Sequence, residues 1–375
     1  MPLLHKYGKI LDMPDDGILK KAASLAGTFA LISLITLFLL FAVEGASSFI
    51  FVAQEMSKPI ALIKERGHTE YDRDLGWINK RNISLPDFYG PGINLKTNSQ
   101  RFRNDRDIAS ELPKEKKRVL CVGDSFTLGF GVKNSDTWCN QLSVLEPGLE
   151  SVNMGQGGYG IDQAYLWYMR DGVKLKHHYV VFSFISNDFY RMIKKDFWGY
   201  GKPVLKLSPS GTLVTENVPV PRQMYKFPLF EKRLMALKQL RVYPFLEQVG
   251  LHLFKPENQV VINQEEIQPI LLQMFRSLSA ETQRQGARLA VIYFPAPWDY
   301  DTQSSDLSRQ MVRQIAGRLN LNYFDFVDEL RKLPRVEWDS LYGPYNHFNE
   351  KGNLLIARMI QAKIINPESS SGGAE

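Results

Sequence analysis

From residue 118 onward, short apolar runs alternate with amphipathic stretches. Val119–Val122, an apolar β-branched run, and Glu150–Met154, Tyr179–Ile185, Arg288–Phe294 and Asn322–Phe326 read as strands. Helices are predicted over Thr137–Leu145, about Asp162–Gly172, Gln268–Gln285 with Gly286 as its cap, Ser305–Leu319 and Asn353–Ile364. Alternation at this spacing predicts a parallel sheet with helices on both faces. The rhythm lapses between about Phe189 and Asn263. Pro203, Pro209, Pro219, Pro221 and Pro228, with the turn Ser208–Gly211, predict an insertion there holding a β-hairpin and a helix or two.

Upstream the pattern is different. Ala22–Val43 contains no charged side chain, enough to cross a bilayer core of roughly 30 Å. A cleaved signal peptide is the competing reading. The run is long for one, and Glu44 stands where a small-x-small site is wanted. An uncleaved anchor is therefore expected. Lys6, Lys9, Lys20 and Lys21 precede it, and only Lys58 follows closely, which places the N-terminus in the cytoplasm and the bulk outside, in the periplasm. The expected organisation is a cytoplasmic tail (1–21), a transmembrane helix (22–43), a linker and strap (44–117), a main domain (118–366) with an insertion at about 189–263, and a disordered polar tail (367–375). The strap consists of two extended segments, Tyr71–Trp77 and Leu95–Arg103, around a Pro/Gly-rich loop.

Composition narrows the function little. The 375 residues are 23% charged and 44% hydrophobic, which is ordinary for a globular protein and argues against extensive disorder. The net charge of +6 comes without basic runs interleaved with aromatics, so no nucleic-acid partner is expected. Cys121 and Cys139 are the only cysteines. They allow neither a disulfide framework nor a four-cysteine zinc site, and Cys121 reads as a small apolar thiol in a buried strand. No cofactor or metal is called for.

The chemistry gathers at strand ends. The first strand stops at Gly123-Asp124-Ser125, where glycine permits a sharp bend and the polar residues suit a helix N-terminus. Ser125 is a candidate nucleophile, with a plain helix cap as the alternative. Gly155–Gly160 follows the second strand, Asn187-Asp188 the third, and His347 precedes the last helix. In a parallel sheet these converge on one edge. Serine as nucleophile, histidine as base, and backbone N–H groups with an asparagine amide around an oxyanion fit acyl transfer. Gly155, Gly157 and Gly160 also satisfy the dinucleotide fingerprint G-x-G-x-x-G, the main rival enzyme reading. The acid it requires about 20 residues on is poorly placed, and another strand–helix unit precedes the motif.

Gly123-Asp124-Ser125, the glycine loop, Asn187-Asp188 and His347 stand in the order of the four blocks of the SGNH, or GDSL-type, hydrolases, and the chain resembles a membrane-anchored bacterial member. Asp74–Trp77, Thr97–Ser99 with Phe102-Arg103, and Lys202-Pro203 through Gly211–Leu213 to Pro221 extend the likeness over about Tyr71–Ile364. The resemblance implies a flavodoxin-like three-layer α/β/α fold and a serine esterase or acyltransferase. It implies that Ser125 is the nucleophile and an oxyanion donor, that Gly158 and Asn187 are further oxyanion donors, and that His347 is the base.

Three positions depart from the pattern. Ile185 replaces a glycine two residues before the block asparagine, and Arg101 replaces a glycine before Phe102. More seriously, Pro344 stands three residues before His347, where the family has an imidazole-orienting Asp, and Tyr345 two before. A backbone carbonyl, or Asp339 folded back, is the expected substitute. The reading is an esterase or O-acyltransferase acting on O-acyl, most simply O-acetyl, groups of an extracytoplasmic glycan or lipid-linked carbohydrate, with polysaccharide-assembly proteins as partners. The alternatives are a non-catalytic glycan-binding or assembly subunit, and a lipase or lysophospholipase.

Overall fold

The computed structural model describes residues 16–57, 67–197, 200–221, 264–301, 305–343 and 346–367. The tail before residue 16, the linker 58–66, any helices of 222–263, and the polar tail from 368 lie outside them. Helix α1 (Asp16–Ser57) is one unbroken helix. Within it Ala23–Ile50, 28 residues, is long and apolar enough to cross a membrane. The apolar stretch thus runs past Glu44, beyond the expected end at Val43. Its leucines and phenylalanines are exposed, Leu34, Phe38 and Phe41 each at 70%. Among the described residues, no core holds them.

The strap forms two antiparallel pairs, β1 (Thr69–Asp72) with β2 (Gly76–Asn79) and β3 (Ser84–Leu85) with β4 (Leu95–Lys96). Then come β5 (Lys117–Gly123), the short α2 (Ser125–Leu128), α3 (Trp138–Leu145), β6 (Leu149–Gly155), α4 (Ile161–Arg170), β7 (Tyr179–Phe184) and α5 (Ser186–Met192). The insertion supplies two hairpins, β8 (Asp196–Phe197) with β9 (Tyr200–Gly201) and β10 (Val204–Leu207) with β11 (Leu213–Glu216). The chain closes with α6 (Gln264–Arg284), β12 (Arg288–Tyr293), α7 (Asp306–Leu319), β13 (Asn322–Asp325), two short helices α8 (Phe326–Leu330) and α9 (Arg335–Asp339), and α10 (Glu350–Ile360). Helices α8 and α9 were not legible in the sequence, being too short to show a period.

Strands β13-β12-β7-β5-β6 form a five-stranded sheet, parallel throughout. Side chains alternate between its faces. Leu120 and Val122 join a core with Trp167 of α4, Phe275 of α6 and Val312 of α7. Val119 and Cys121 point the other way, to Trp138 and Leu142 of α3 and to Ile356 and Ile360 of α10. The expected three-layer α/β/α arrangement is present.

One reading is corrected. Cys121 is not a free thiol: it forms a disulfide with Cys139, the Cα atoms 6.0 Å apart. The separation of eighteen positions hides this from the sequence, because only the packing of α3 against β5 brings the two together. The bond ties the strand that carries Gly123-Asp124-Ser125 to its neighbouring helix. Closing a loop of this length stabilises by about 3 kcal/mol. We expect alkylation without reductant to leave both cysteines unmodified in a mass spectrum, and Cys121→Ala with Cys139→Ala to lower the melting temperature.

Candidate active site

Gly123 ends β5 in register with Gly155 at the end of β6. Neither position has room for a side chain. A Cβ on Gly155 would lie 1.9 Å from the Leu128 nitrogen, and one on Gly123 would lie 2.6 Å from the Ser183 carbonyl oxygen. α2 therefore sits directly against the sheet edge. Asp124, not Ser125, caps this helix, its Oδ1 accepting from the Phe126 N–H at 2.9 Å. That removes the helix-cap alternative and leaves the Ser125 hydroxyl for another partner. Oγ lies 2.8 Å from His347 Nε2, with a longer contact of 3.3 Å to Asp124 Oδ2.

His347 reaches this point from a tight reversal before α10. The Gly343 N–H donates to the His347 carbonyl at 2.8 Å, and Tyr342 bridges to Phe348. Asn349 caps α10 by accepting from the Gly352 N–H at 3.0 Å. The expectation that Asp339 folds back onto the ring is not met. Both of its oxygens accept from Arg335 Nε at 2.8 Å, one helical turn away. That pairing follows from their i,i+4 spacing on α9. Pro344 and Tyr345 lie outside the described residues.

The other two predicted positions flank Ser125 on the same edge. Gly158 lies in the loop after β6 with φ +78°, a conformation that strains any other residue. Asn187 opens α5 after β7, is exposed, and hydrogen-bonds to none of the described residues. No described group accepts from the backbone N–H of Ser125 or of Gly158. Three donors are thus unspent beside the Ser–His pair, as an oxyanion site requires. The structure therefore brings Ser125 and His347 into contact and sets Gly158 and Asn187 at the adjoining strand ends.

Residues that sequence reasoning passed over hold this edge together. Arg103 of the strap is buried, and its guanidinium donates to the carbonyls of Leu128 (2.7 Å), Gly129 and Val132 and to Asn134 Oδ1 (2.8 Å). It satisfies the carbonyls at the C-terminal end of α2, where a cation is electrostatically favoured. Burial pushes its pKa down, partly offset by Tyr89, Asp105 and Asp136. Trp77 Nε1 and Asn79 Nδ2 donate to the carbonyls of Gly157 (2.9 Å) and Gly155 (3.3 Å). The strap braces the helix and the glycine loop alike. Arg101 now has an account: its φ of +76° explains a glycine preference, and its guanidinium contacts Glu70 and the Asn79 carbonyl, offsetting the strain. Ile185 is buried and simply adds to the core beside α3.

Two buried charge groups complete the frame. Arg191 Nη1 links Asp188 (2.6 Å), Asp124 (3.3 Å) and the Tyr159 carbonyl (3.1 Å), joining the ends of β5, β6 and β7. Burial raises the Asp188 pKa well above its usual value, and the Asp124 charge pushes the same way. Lys202 of the insertion meets Asp162 at 2.6 Å, both fully buried. Burial pushes the Asp162 pKa up and the Lys202 pKa down. A pair like this specifies a position more than it stabilises one. It fixes the insertion to the start of α4, next to the glycine loop.

A family model for GDSL-like lipases and acylhydrolases matches residues 121–355, well over half of the chain. The protein belongs to the GDSL-like lipase/acylhydrolase family. It is an SGNH-type serine hydrolase, and the dinucleotide reading of the glycine loop falls away. No curated protein matches the chain. Among solved structures, a G-D-S-L family lipolytic protein from Veillonella parvula shares 13% identity, covering 67% of this chain and 99% of that one, with a TM-score of 0.36. TesA shares 13% over 67% and 99%, TM-score 0.39. The acetylxylan esterase Axe2 from Geobacillus stearothermophilus shares 16% over 67% and 96%, TM-score 0.36.

Replacing Arg103 with leucine would leave several buried carbonyls unpaired. We expect Arg103→Leu to cost about 3 kcal/mol of stability, read as a lower melting temperature of the full-length protein in detergent.

Proposed function

We propose that this GDSL-like hydrolase is a membrane-anchored serine esterase or O-acyltransferase in which Ser125 attacks and His347 acts as base. The observation that carries the reading is the 2.8 Å contact between Ser125 Oγ and His347 Nε2 beside unspent donors. Oγ attacks the ester carbonyl carbon while its proton passes to Nε2. The N–H groups of Ser125 and Gly158 and the Asn187 amide receive the oxyanion. Its collapse breaks the C–O bond, and Nε2 returns the proton to the departing alcohol. Water then releases the acyl group by the same steps in a hydrolase, and a sugar hydroxyl accepts it in a transferase.

The substrate we infer is an O-acyl, most simply O-acetyl, group on an extracytoplasmic glycan or lipid-linked carbohydrate, handled alongside polysaccharide-assembly partners. Trp77, Phe197 and Tyr200 leave a cavity of only about 10 Å³ beside Gly158, room for a group about the size of a methyl, which supports acetyl over a long acyl chain. For the location, the basic residues ahead of α1 support an N-terminus in the cytoplasm and a periplasmic catalytic domain. The Cys121–Cys139 disulfide supports the same side, since such bonds persist in oxidising compartments.

Full-length protein in detergent should turn over p-nitrophenyl acetate and label with a fluorophosphonate. Ser125→Ala should abolish both, and His347→Ala should lower turnover by at least about 10³-fold. Turnover and labelling that survive Ser125→Ala would remove the enzyme reading and favour a binding subunit. For the orientation, protease added to spheroplasts should digest the large domain; complete protection would reverse the topology.

A further inference from the structure

We infer that Phe126 and Phe130 clamp the His347 imidazole, doing by ring packing part of what an orienting carboxylate does in a Ser-His-Asp triad. The inference rests on the Ser125–His347 pair proposed above. The imidazole centroid lies 4.7 Å from that of Phe126 and 4.8 Å from that of Phe130, at interplanar angles of 34° and 33°. Both phenylalanines belong to the nucleophile segment. Phe126 follows Ser125 directly, and the Phe130 N–H donates to the Ser125 carbonyl at 3.1 Å. One short stretch of chain therefore holds both the attacking oxygen and the ring that takes its proton.

The clamp is itself held. Phe126 is buried at 2% exposure and meets Phe348 edge-on at 4.9 Å. Phe130 packs on Tyr89 of the strap at 4.6 Å. The Oγ contact fixes one atom of the imidazole, and the two ring contacts restrict its plane. Asp339 pairs with Arg335, and Asp124 accepts from the Phe126 N–H, Ser125 Oγ and Arg191. Packing on ring faces acts on the plane of the imidazole and is independent of what its other nitrogen meets.

The clamp also acts on charge. When the Ser125 proton moves to Nε2 the imidazole becomes a cation, and both phenyl centroids lie within the roughly 6 Å over which ring faces attract one. No proton is gained overall, since Nε2 gives it up to the departing alcohol. The clamp thus favours the charged state only while the oxyanion exists. The family signature G-D-S-L has leucine where this chain has Phe126, so the aromatic ring is a feature of this sequence against that pattern.

The test compares full-length wild type with Phe126→Leu, Phe130→Leu, the double variant, Phe130→Tyr, Ser125→Ala and His347→Ala. Turnover of p-nitrophenyl acetate is resolved into kcat and KM. The histidine ring resonances are followed by NMR, with the His347 signals assigned from their loss in His347→Ala. Phe130→Leu should keep its melting temperature and Phe126→Leu should lower it modestly; each should keep its KM, lose about 3- to 10-fold in kcat, and move the His347 signals as ring currents disappear. The double variant should lose more than either single one, and Phe130→Tyr should retain wild-type kcat. Should Phe126→Leu unfold, half-buried Phe130 carries the test alone. Folded leucine variants with shifted His347 signals and wild-type kcat would overturn the clamp. Full turnover in His347→Ala would instead overturn the base assignment beneath it.

Discussion

The site depends on a steric constraint at the ends of two paired strands. Gly123 and Gly155 face each other across β5 and β6, and a Cβ on Gly155 would meet the backbone of α2 at less than 2.5 Å. Because nothing projects there, α2 lies on the sheet edge and presents Ser125 beside the glycine loop. Asp124 takes the capping position, so the serine hydroxyl is not consumed by its own helix. The placement of Ser125 is a consequence of close backbone packing.

Around this point the chain is braced from three directions. The strap contributes Arg103 beneath α2, with Trp77 and Asn79 beneath the glycine loop. Arg191 joins the ends of three strands, and the buried Lys202–Asp162 pair anchors the insertion beside the same loop. The Cys121–Cys139 bond holds the nucleophile strand to α3 on the opposite face. These supports come from segments far apart in sequence, and the strap lies ahead of residues 121–355, which the family model matches. The strap satisfies the carbonyls at the end of α2 and of the glycine loop.

Loss of the usual Asp before His347 shows how such a framework absorbs a missing group. The residue that sequence proximity offered, Asp339, is captured by Arg335 on its own helix. Among the described residues, Ser125, Phe126 and Phe130 contact the imidazole. Orientation of a ring needs shape as much as charge, and aromatic packing supplies shape.

The sequence by itself determined the alternation of strands and helices and the apolar N-terminal helix, and it singled out Ser125, Gly158, Asn187 and His347 as candidates at the strand ends. Each of these is a local signal: a period of two or of 3.6, an uninterrupted apolar run, or a short motif at a strand end. The tertiary structure alone decided the disulfide, the roles of Arg103, Arg191 and Lys202, the capping of α2 by Asp124, and the surroundings of His347. These are contacts between residues separated by eighteen positions to more than two hundred, or choices among adjacent residues that differ only in where the backbone points them. A buried arginine and a surface arginine are the same letter, and only the packing around Arg103 shows that its partners are the carbonyls of the nucleophile helix.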